Sequence, residues 1–377
     1  MLDTPFIYVD TPSGWEACLS ELKQHKTVCI DLESNSLYVY KEEICLIQIS
    51  VGDIDYIIDP KTDINLAGLG LIIQDPTIEK VFHACEYDLI LLKKQFDWEV
   101  SNLFDTMWAA RILGVEKIGL ANIIRDVFGV ELDKKFQKAD WGKRPLSPEM
   151  LAYAQNDTHY LHRLRDHFAI KLKALGHWEE AQESFVLQSR VNLPNTDFNP
   201  DNFWNFHGIK YLEPQNQAIC KALFAFRETE ASKYNRPLFK IFDNKRLLQL
   251  AEYPPATMDE LFRTRGLPGW YIRKRGPNLL QAIRAGSQAP IPERPKRDPK
   301  PAQDILDRYD AMLNWRKETA RARGVESDII LSKDSCWQIA KGNPQSGVEL
   351  ADYRQVAGPW RIKTYEKGIL AILAGYR

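Results

Sequence analysis

The chain has 377 residues, of which 44% are hydrophobic and 27% charged, and its formal net charge is −1. At about 150 residues per domain this length predicts two or three domains, and the composition excludes a disordered or collagen-like chain. No apolar stretch approaches the roughly 18 residues of a membrane span, and the first residues lack the basic and apolar regions of a signal peptide.

The six cysteines are scattered along the chain, and no two of them form a C-x-x-C pair. This spacing excludes a zinc ribbon and a disulfide framework. It predicts a protein of the reducing cytoplasm.

Four buried strands are predicted in the first quarter of the chain. Each is an apolar run bounded by turn-forming or polar residues, and the four segments are 27–32, 44–51, 55–59 and 80–83. Helical periodicity follows, with Leu89, Leu92 and Phe96 on one face. The pattern predicts a mixed β-sheet flanked by helices, which is an α/β architecture.

Two carboxylates lie at the end of the first predicted strand. Asp31 and Glu33 are two residues apart, so a strand places both side chains on one face, at the edge where α/β sheets bind ligands. Adjacent carboxylates repel each other unless a cation lies between them, and hard divalent ions prefer oxygen ligands. The pair indicates a divalent metal site, and the alternative is a strand that ends in solvated acids.

A further acid, Asp88, lies at the predicted transition from the fourth strand to a helix. Its alternative interpretation is a helix-start acid that the macrodipole favours.

The last candidate acid lies on a helix whose start is predicted by Ser147 as N-cap and Pro148 in the first position. Tyr153 and Asp157 are four residues apart on this helix and therefore share a face. A phenol beside a metal-binding carboxylate can hold an attacking water. Packing combined with surface charge is the alternative.

The two halves of the chain differ in charge. Residues 1–200 carry a net charge of −11 and residues 201–377 a net charge of +10. Within the second half, residues 261–300 contain ten basic and two acidic groups. This division predicts carboxylates for metal ions in the first half and cations for a polyanion in the second. Two ordinary solvated surfaces are the alternative.

A proline-rich stretch and an internal repeat organise the second half. A shift of 89 positions aligns eight identical residues over 226–261, including Arg227 with Arg316 and Ala231 with Ala320. Two copies of one helical module are the simplest interpretation, and chance similarity between amphipathic helices is the alternative. The predicted organisation is an α/β domain, two helical modules and a proline-rich basic linker, at 1–195, 200–287, 301–377 and 288–300 respectively.

Together these segments resemble the ribonuclease D family of 3′-to-5′ exonucleases, whose superfamily is defined by four acids and, in this subclass, a tyrosine. The similar segments are IDLE at 30–33, ICLIQ at 44–48, HACEYDL at 83–89, FDTM at 104–107, KADWGKRPL at 138–146 and YAQND at 153–157. Leu32 stands where threonine is commoner, and Ala152 stands where a sister subclass has histidine. The two modules resemble HRDC domains, and the second is the more diverged.

The resemblance implies a ribonuclease H-like exonuclease domain followed by two small all-α HRDC-like domains. It implies two Mg²⁺ or Mn²⁺ ions held by four acids, with Tyr153 orienting the attacking water; the acids are Asp31, Glu33, Asp88 and Asp157. The implied activity releases nucleoside 5′-monophosphates from RNA 3′ ends, with tRNA precursors as partners and without a membrane or a nucleotide cofactor.

Candidate nucleic-acid contacts are expected in the same segments and in the basic half. They are Gln48, His83, Lys138, Trp141, Arg144, Arg273, Lys274 and Arg275. For Trp141 and Phe136 core packing is favoured over base stacking, and for His83 a packed or hydrogen-bonding role is favoured. Asp105 is interpreted as a helix cap and not as a metal ligand.

Two other functions remain open at this stage. One is a 3′–5′ DNA exonuclease of the same superfamily, because no residue in the sequence identifies a contact to the ribose 2′-hydroxyl. The other is a nucleic-acid-binding protein without activity, against which the presence of all four acids and the tyrosine argues.

Overall fold

The computed structural model describes residues 5–195, 197–296 and 299–376. The start of the predicted first domain (Met1 to Thr4), two residues of the predicted linker (Arg297 and Asp298) and the end of the second predicted module (Arg377) lie outside the described residues. Six β-strands occur in the described part of the chain, at Phe6–Val9 (β1), Thr27–Ser34 (β2), Ile44–Val51 (β3), Ile54–Ile58 (β4), Glu79–Phe82 (β5) and Leu103–Asp105 (β6).

The strands form one mixed sheet in the order β1-β4-β3-β2-β5-β6. The pairs β2–β3 and β3–β4 are antiparallel, whereas β1–β4, β2–β5 and β5–β6 are parallel. All eight residues of β3 are buried, as expected of a central strand with both faces covered. The mixed sheet is confirmed. Strands β1 and β6, the two edge strands, are absent from the predicted set because each is short and is defined by pairing with a single neighbouring strand.

The α-helices fall into three groups along the chain. The first group is α1 (Pro12–Leu22), α2 (Ala67–Gln74), α3 (Glu86–Phe96), α4 (Thr106–Ile112), α5 (Leu120–Phe128), α6 (Pro148–His159), α7 (Leu161–Ala174) and α8 (Trp178–Ser189). The second is α9 (Pro214–Lys233), α10 (Leu238–Ile241), α11 (Asn244–Glu252), α12 (Met258–Arg263) and α13 (Gly269–Gln288). The third is α14 (Gln303–Arg323), α15 (Ser327–Ile330), α16 (Lys333–Gly342), α17 (Gly347–Leu350), α18 (Arg354–Ala357) and α19 (Pro359–Ala374).

The first compact unit combines the sheet with the third helix group, over the described residues of Met1–Ser34, Ile44–Leu193 and Pro299–Arg377. Buried ion pairs join the two parts inside this unit. On α8, Glu180 accepts hydrogen bonds from Arg323, and Glu183 accepts one of 2.8 Å from Arg361. Because both carboxylates are buried, each depends on its arginine for compensation of its charge.

The second compact unit contains the second helix group, over the described residues of Asn35–Glu43 and Pro194–Asp298. Its core includes Phe203, Leu223 and Leu279. The segment 35–43 belongs to this unit, where the Tyr40 hydroxyl donates a hydrogen bond to Glu228.

The arginines that the internal repeat aligns have the same structural role. Arg227 is buried and donates a 3.1 Å hydrogen bond to the carbonyl of Phe242, just after α10. Arg316 is buried and donates a 2.9 Å hydrogen bond to the carbonyl of Ser327, at the start of α15. In each module a buried guanidinium therefore satisfies backbone carbonyls near the following short helix.

The described residues between the helical groups, 289–296 and 299–302, form neither helix nor strand. Within the described residues, no helix has the length and hydropathy of a membrane span.

Candidate active site

Strand β2 positions the first two candidate acids. Its alternation places Asp31 and Glu33 on one face, and their cross-strand partners on β3 are Gln48 and Leu46. Because β2 is an inner strand of the sheet, its backbone is fixed on both sides by β3 and β5.

Helix α6 positions the tyrosine and the last acid. Ser147 is its N-cap and accepts a 3.3 Å hydrogen bond from the amide of Met150, and Pro148 occupies the first position, which confirms the predicted start. The helix packs on β2, β3 and β4, three of the four inner strands of the sheet. Tyr153 and Asp157 lie on it one turn apart.

Carboxylates from β2 and α6 converge. One oxygen from each of Asp31, Glu33 and Asp157 can be chosen so that all three lie within 4.8 Å of one another, which is close enough to share a cation. Asp88, buried in the first turn of α3, lies near enough for its charge to raise the pKa of Glu33. The structure thus places the four acids that the sequence singled out near one another, three of them with oxygens within 4.8 Å.

The electrostatics of these acids indicate a site that requires cations. Burial raises the pKa of Asp31 to about 7, and burial followed by repulsion from neighbouring carboxylates raises that of Glu33 to about 10. The pKa values of Asp88 and Asp157 are also well above the ordinary range, chiefly because of burial. Without a counter-charge the ionised forms of these acids are disfavoured, whereas oxygen ligands packed this closely are suited to hard divalent ions. The donor set therefore fits Mg²⁺ or Mn²⁺.

Tyr153 stands between the acids and an aromatic wall. Its ring centroid lies 5.8 Å from that of Phe136 and 6.1 Å from that of Trp141. Burial and then the charges of Asp157, Glu33 and Asp31 raise the pKa of its phenol. The hydroxyl stays protonated at neutral pH, so it can orient a water but cannot serve as a base.

A cavity of about 330 Å³ opens beside Tyr153. Its walls include Phe136, Asn156 and Tyr160, with Asp133 and Lys135 also lining it. The lining therefore combines aromatic surface, on which a flat ring can stack, with polar groups that can form hydrogen bonds.

The turn before Asp88 is held by Asp105. Its carboxylate accepts hydrogen bonds of 3.2 and 2.8 Å from the amides of Ala84 and Cys85, and it also caps α4 through Met107 and Trp108. The interpretation of Asp105 as a helix cap is confirmed. His83 lies within hydrogen-bond distance of the Thr106 hydroxyl, 2.9 Å from Nδ1 to Oγ1. Burial lowers the pKa of its imidazole, which favours the hydrogen-bonding role.

Three of the expected nucleic-acid contacts lie away from the surface or are already engaged. Gln48 is fully buried and Trp141 is 1% exposed, so the structure favours core packing over base stacking for Trp141. Arg144 hydrogen-bonds both oxygens of Asp59, at 2.5 and 2.7 Å, and its guanidinium therefore serves the fold. The burial of Gln48 and Trp141 argues against direct contact of either side chain with a nucleic acid, whereas the contact expected of the partly exposed Arg144 stays a prediction.

The other expected contacts are more accessible. Lys138, Arg273 and Lys274 are exposed. Arg275 lies 3.3 Å from Glu230, measured from Nε to Oε2, and its guanidinium lies over the ring of Tyr234. The Arg273–Arg275 cluster thus presents two cations to solvent and uses the third within the module.

Sequence reasoning missed a buried polar network beneath α6. Asp55 on β4 accepts hydrogen bonds from Ser50 and Gln155, at 2.6 and 2.7 Å, and lies 2.7 Å from Nδ1 of His159. The Ser50 hydroxyl also reaches Thr158. The sequence signal that could have revealed this network is the presence of polar residues within otherwise apolar strands. A polar residue in a buried strand indicates a hydrogen-bonding partner, whereas an exposed one does not.

Comparison with known proteins gives consistent matches. A family model described as 3′-5′ exonuclease matches residues 6–173, and a model of the HRDC domain matches residues 216–283 and 305–373. A protein named ribonuclease D from Sphingobium indicum is 31% identical over 323 residues, which cover 84% of this chain and 82% of that protein. A second ribonuclease D, from Acidiphilium cryptum, is 28% identical over 340 residues, covering 89% of this chain and 86% of that protein.

Solved structures show the same fold. The catalytic core of RRP6 from Trypanosoma brucei superposes with a TM-score of 0.68 at 26% identity, covering 75% of this chain and 80% of that one. RNase D from Escherichia coli superposes with a TM-score of 0.68 at 22% identity, covering 99% of this chain and all of that one. The architecture of a ribonuclease H-like exonuclease domain followed by HRDC domains is therefore confirmed.

Proposed function

Because this chain belongs to the ribonuclease D family of 3′–5′ exoribonucleases, we propose that hydrolysis takes place where five side chains meet: Asp31, Glu33, Asp88, Asp157 and Tyr153. The observation that carries this proposal is the convergence of carboxylate oxygens from β2 and α6 within 4.8 Å of one another. Such a cluster is costly without cations, and the repulsion is relieved when cations bind.

In this proposal the four acids hold two Mg²⁺ or Mn²⁺ ions. Ions bound there would stabilise negative charge on the attacking and leaving oxygens and lower the pKa of a bound water. The acids themselves fix the ions to three elements, the inner strand β2 and the helices α3 and α6. Movement of any of these elements would change the ligand geometry, so their rigidity contributes to the activity.

Tyr153 and the cavity beside it position the substrate. The protonated phenol donates a hydrogen bond that orients the attacking water, and the aromatic wall of the cavity takes the terminal nucleoside. Water then attacks the last phosphodiester, the bond to the 3′ oxygen of the preceding nucleotide breaks, and a nucleoside 5′-monophosphate leaves. Each cycle shortens the RNA by one nucleotide.

The remainder of the proposal concerns the substrate and its binding. We assign the exonuclease domain to 1–195 and the HRDC domains to 200–287 and 301–377, joined by the linker 288–300. The net charge of +10 in residues 201–377 suits retention of the RNA body, with affinity that falls as salt rises. tRNA precursors and other structured RNAs in the cytoplasm are the proposed substrates, and the six free, buried cysteines suit a reducing compartment.

The decisive experiment uses 3′-labelled RNA and DNA oligonucleotides of matched sequence with purified protein. We expect release of labelled nucleoside 5′-monophosphate from RNA in Mn²⁺ or Mg²⁺, and none in EDTA. Asp31→Asn removes this activity, whereas Asp97→Asn retains it. Asp97 is exposed at the end of a helix, and asparagine tolerates the left-handed backbone conformation of this position.

Each alternative has its own outcome in this assay. Equal hydrolysis of DNA and RNA would favour the DNA exonuclease. A folded wild-type protein that binds both the RNA and the DNA oligonucleotide and hydrolyses neither would favour a binding protein without activity. Full activity of a pure Asp31→Asn preparation would remove the metal assignment.

A further inference from the structure

The first HRDC domain contains a cavity whose chemistry the hydrolytic site does not use. The cavity has a volume of about 210 Å³ and lies within the second compact unit. We call it the Trp270 pocket, after the residue at its rim; it is lined by residues of α9, α10 and the first two turns of α13 and by the segment 234–236. It is smaller than the roughly 300–1,000 Å³ of sites that enclose a drug-sized ligand, so it suits one ring system and not a whole folded ligand.

An exposed aromatic ring forms one side of the pocket. Trp270 is 56% exposed, which is unusual for a tryptophan, and its ring packs edge-to-face against that of Tyr271. An indole held in this way by its neighbour offers a flat apolar face to solvent. Such faces stack with nucleobases of any sequence.

A buried hydroxyl in the same pocket lacks a partner. Tyr271 is only 4% exposed and lines the cavity, yet its hydroxyl makes no hydrogen bond with any residue that the structure describes. A buried polar group without a partner is costly, and the unmet hydrogen-bonding capacity here lies in the wall of a cavity. A ligand with hydrogen-bonding edges would satisfy it.

Cations complete the pocket. Arg236, Lys240 and Lys274 line it and are exposed, so they can meet an anion at its mouth. Arg275 has a different role, because it is ion-paired with Glu230 and lies 3.8 Å from the centroid of the Tyr234 ring, where it stiffens the wall. The pocket therefore combines a stacking face, a hydrogen-bonding group and positive charge.

We propose that the Trp270 pocket binds one unpaired nucleotide of the RNA substrate, with the base stacked on Trp270, an edge hydrogen-bonded to Tyr271 and the phosphate held by Lys274 and its neighbours. This inference rests on the proposed function and gives the first HRDC domain a defined role in it. An acidic peptide would satisfy the cations but would leave the exposed indole without a stacking partner, so the observations favour a nucleotide.

The test measures binding of fluorescein-labelled single-stranded RNA by anisotropy, with the full chain in EDTA so that no hydrolysis occurs. Trp270→Ala raises Kd by about 5- to 150-fold, the equivalent of about 1–3 kcal/mol for one stacked base. Trp270→Phe keeps most of the affinity because a ring remains. Tyr253→Ala, which removes an exposed aromatic ring of the same domain outside the pocket, leaves Kd unchanged.

Two further variants separate recognition from folding. Tyr271→Phe removes the hydroxyl that lacks a partner, so it weakens RNA binding several-fold while the melting temperature does not fall. Lys274→Ala lowers the slope of log Kd against log salt concentration by about one. Lys23→Ala makes the same charge change at an exposed position of the acidic half, away from the pocket and the basic half, and leaves that slope unchanged.

The outcomes are distinguishable from failure of the proposed function. If Trp270→Ala, Tyr271→Phe and wild type bind RNA equally while wild type hydrolyses RNA in Mn²⁺, only the pocket proposal fails. If wild type does not hydrolyse RNA but these variants lose binding, the pocket stands and the hydrolytic proposal fails. If polyglutamate displaces the RNA from wild type and Trp270→Ala binds RNA as tightly as wild type, the cations alone bind the polyanion and the inference is overturned.

Discussion

Nδ1 of His159 lies 2.7 Å from Oδ2 of Asp55, a hydrogen bond that ties the last turn of α6 to strand β4. Gln155 reaches the same carboxylate oxygen from one turn earlier on the helix. Asp157 lies between these two residues in sequence. The network therefore holds the part of α6 that carries a candidate metal ligand.

We expect Asp55→Asn to reduce the free energy of unfolding by about 2–3 kcal/mol, because charge-assisted hydrogen bonds in a buried site are lost. We also expect weaker Mn²⁺ binding, since Asp157 loses the anchoring of its helix. Urea denaturation and isothermal titration with Mn²⁺ measure the two effects. Asp53→Asn, the same change at an exposed position in the adjoining turn, should alter neither.

Asp55 should also make the stability of the protein depend on pH in the acidic range. Burial opposes ionisation of Asp55, but the hydrogen bonds from His159, Ser50 and Gln155 outweigh it and lower its pKa. Its contribution to stability is therefore present above the ordinary aspartate pKa of about 4 and is lost as the pH falls through the lower folded-state value. The wild-type advantage over Asp55→Asn should shrink in acid, and an advantage that grows in acid would contradict this assignment.

Without metal ions, the stability that the active-site carboxylates contribute should fall as the pH rises, which is the reverse of the usual dependence. The folded-state pKa values of Asp31 and Glu33 are raised, so between about pH 4 and 7 the folded metal-free protein holds more protons than the unfolded chain. Stability contributed by these protons is greatest at the acidic end and is lost as the pH rises, by up to about 1.4 kcal/mol per unit for each proton.

Thermal denaturation in EDTA from pH 5 to 8 measures this loss. We expect a steeper fall in the wild-type protein than in Asp31→Asn, and a flat profile when Mn²⁺ is saturating. A wild-type slope equal to that of Asp31→Asn would show that folding does not raise the pKa of Asp31.

Tyr153→Phe should reduce kcat by about 10²-fold, the lower end of the effect of a group that handles a proton or water in a transition state. The ring contacts with Phe136 and Trp141 remain, so Mn²⁺ affinity and the melting temperature should be unchanged. Initial rates on a labelled RNA test the prediction. Tyr56→Phe, at a buried tyrosine of β4, serves as control.

Arg361→Ala should reduce the free energy of unfolding by about 3–5 kcal/mol, because it leaves the buried Glu183 without a counter-charge. Glu183→Gln should cost less, since the single amide oxygen of glutamine can still accept a hydrogen bond from one of the two backbone amides, Trp360 or Arg361, which donate to separate oxygens of Glu183. Chemical denaturation compares these variants with Lys363→Ala, an exposed change on the same helix. Equal losses for Arg361→Ala and Lys363→Ala would exclude a stabilising role for the pair.

Much of the fold and the candidate site could be predicted from local patterns. The limits of β3, the start of α6 at Ser147 and Pro148 and the cap at Asp105 depend on residues close together in sequence. Short elements such as β1 and β6 have no such pattern, because their pairing with strands far along the chain is what makes them strands.

The burial and contacts of single side chains were harder to predict than the helices and strands. Trp141 and Arg144 belong to a segment that resembles the corresponding segment of the ribonuclease D family. Trp141 is nevertheless buried, and Arg144 is bound to Asp59. Nothing in their spacing distinguishes a contact with nucleic acid from a contact with the core. The exposed Trp270 and the buried Tyr271 are adjacent in sequence and differ only through packing.

By itself the sequence determined the chemical types at the site, the alternating strands and the periodic helices, because these follow from steric and hydrophobic preferences over a few residues. Only the tertiary structure decided which charges meet. Asp55 and His159 are 104 residues apart, and Glu183 and Arg361 are 178 apart. Such pairs form because folding removes both partners from water, and a buried charge must then find its complement wherever the chain brings it.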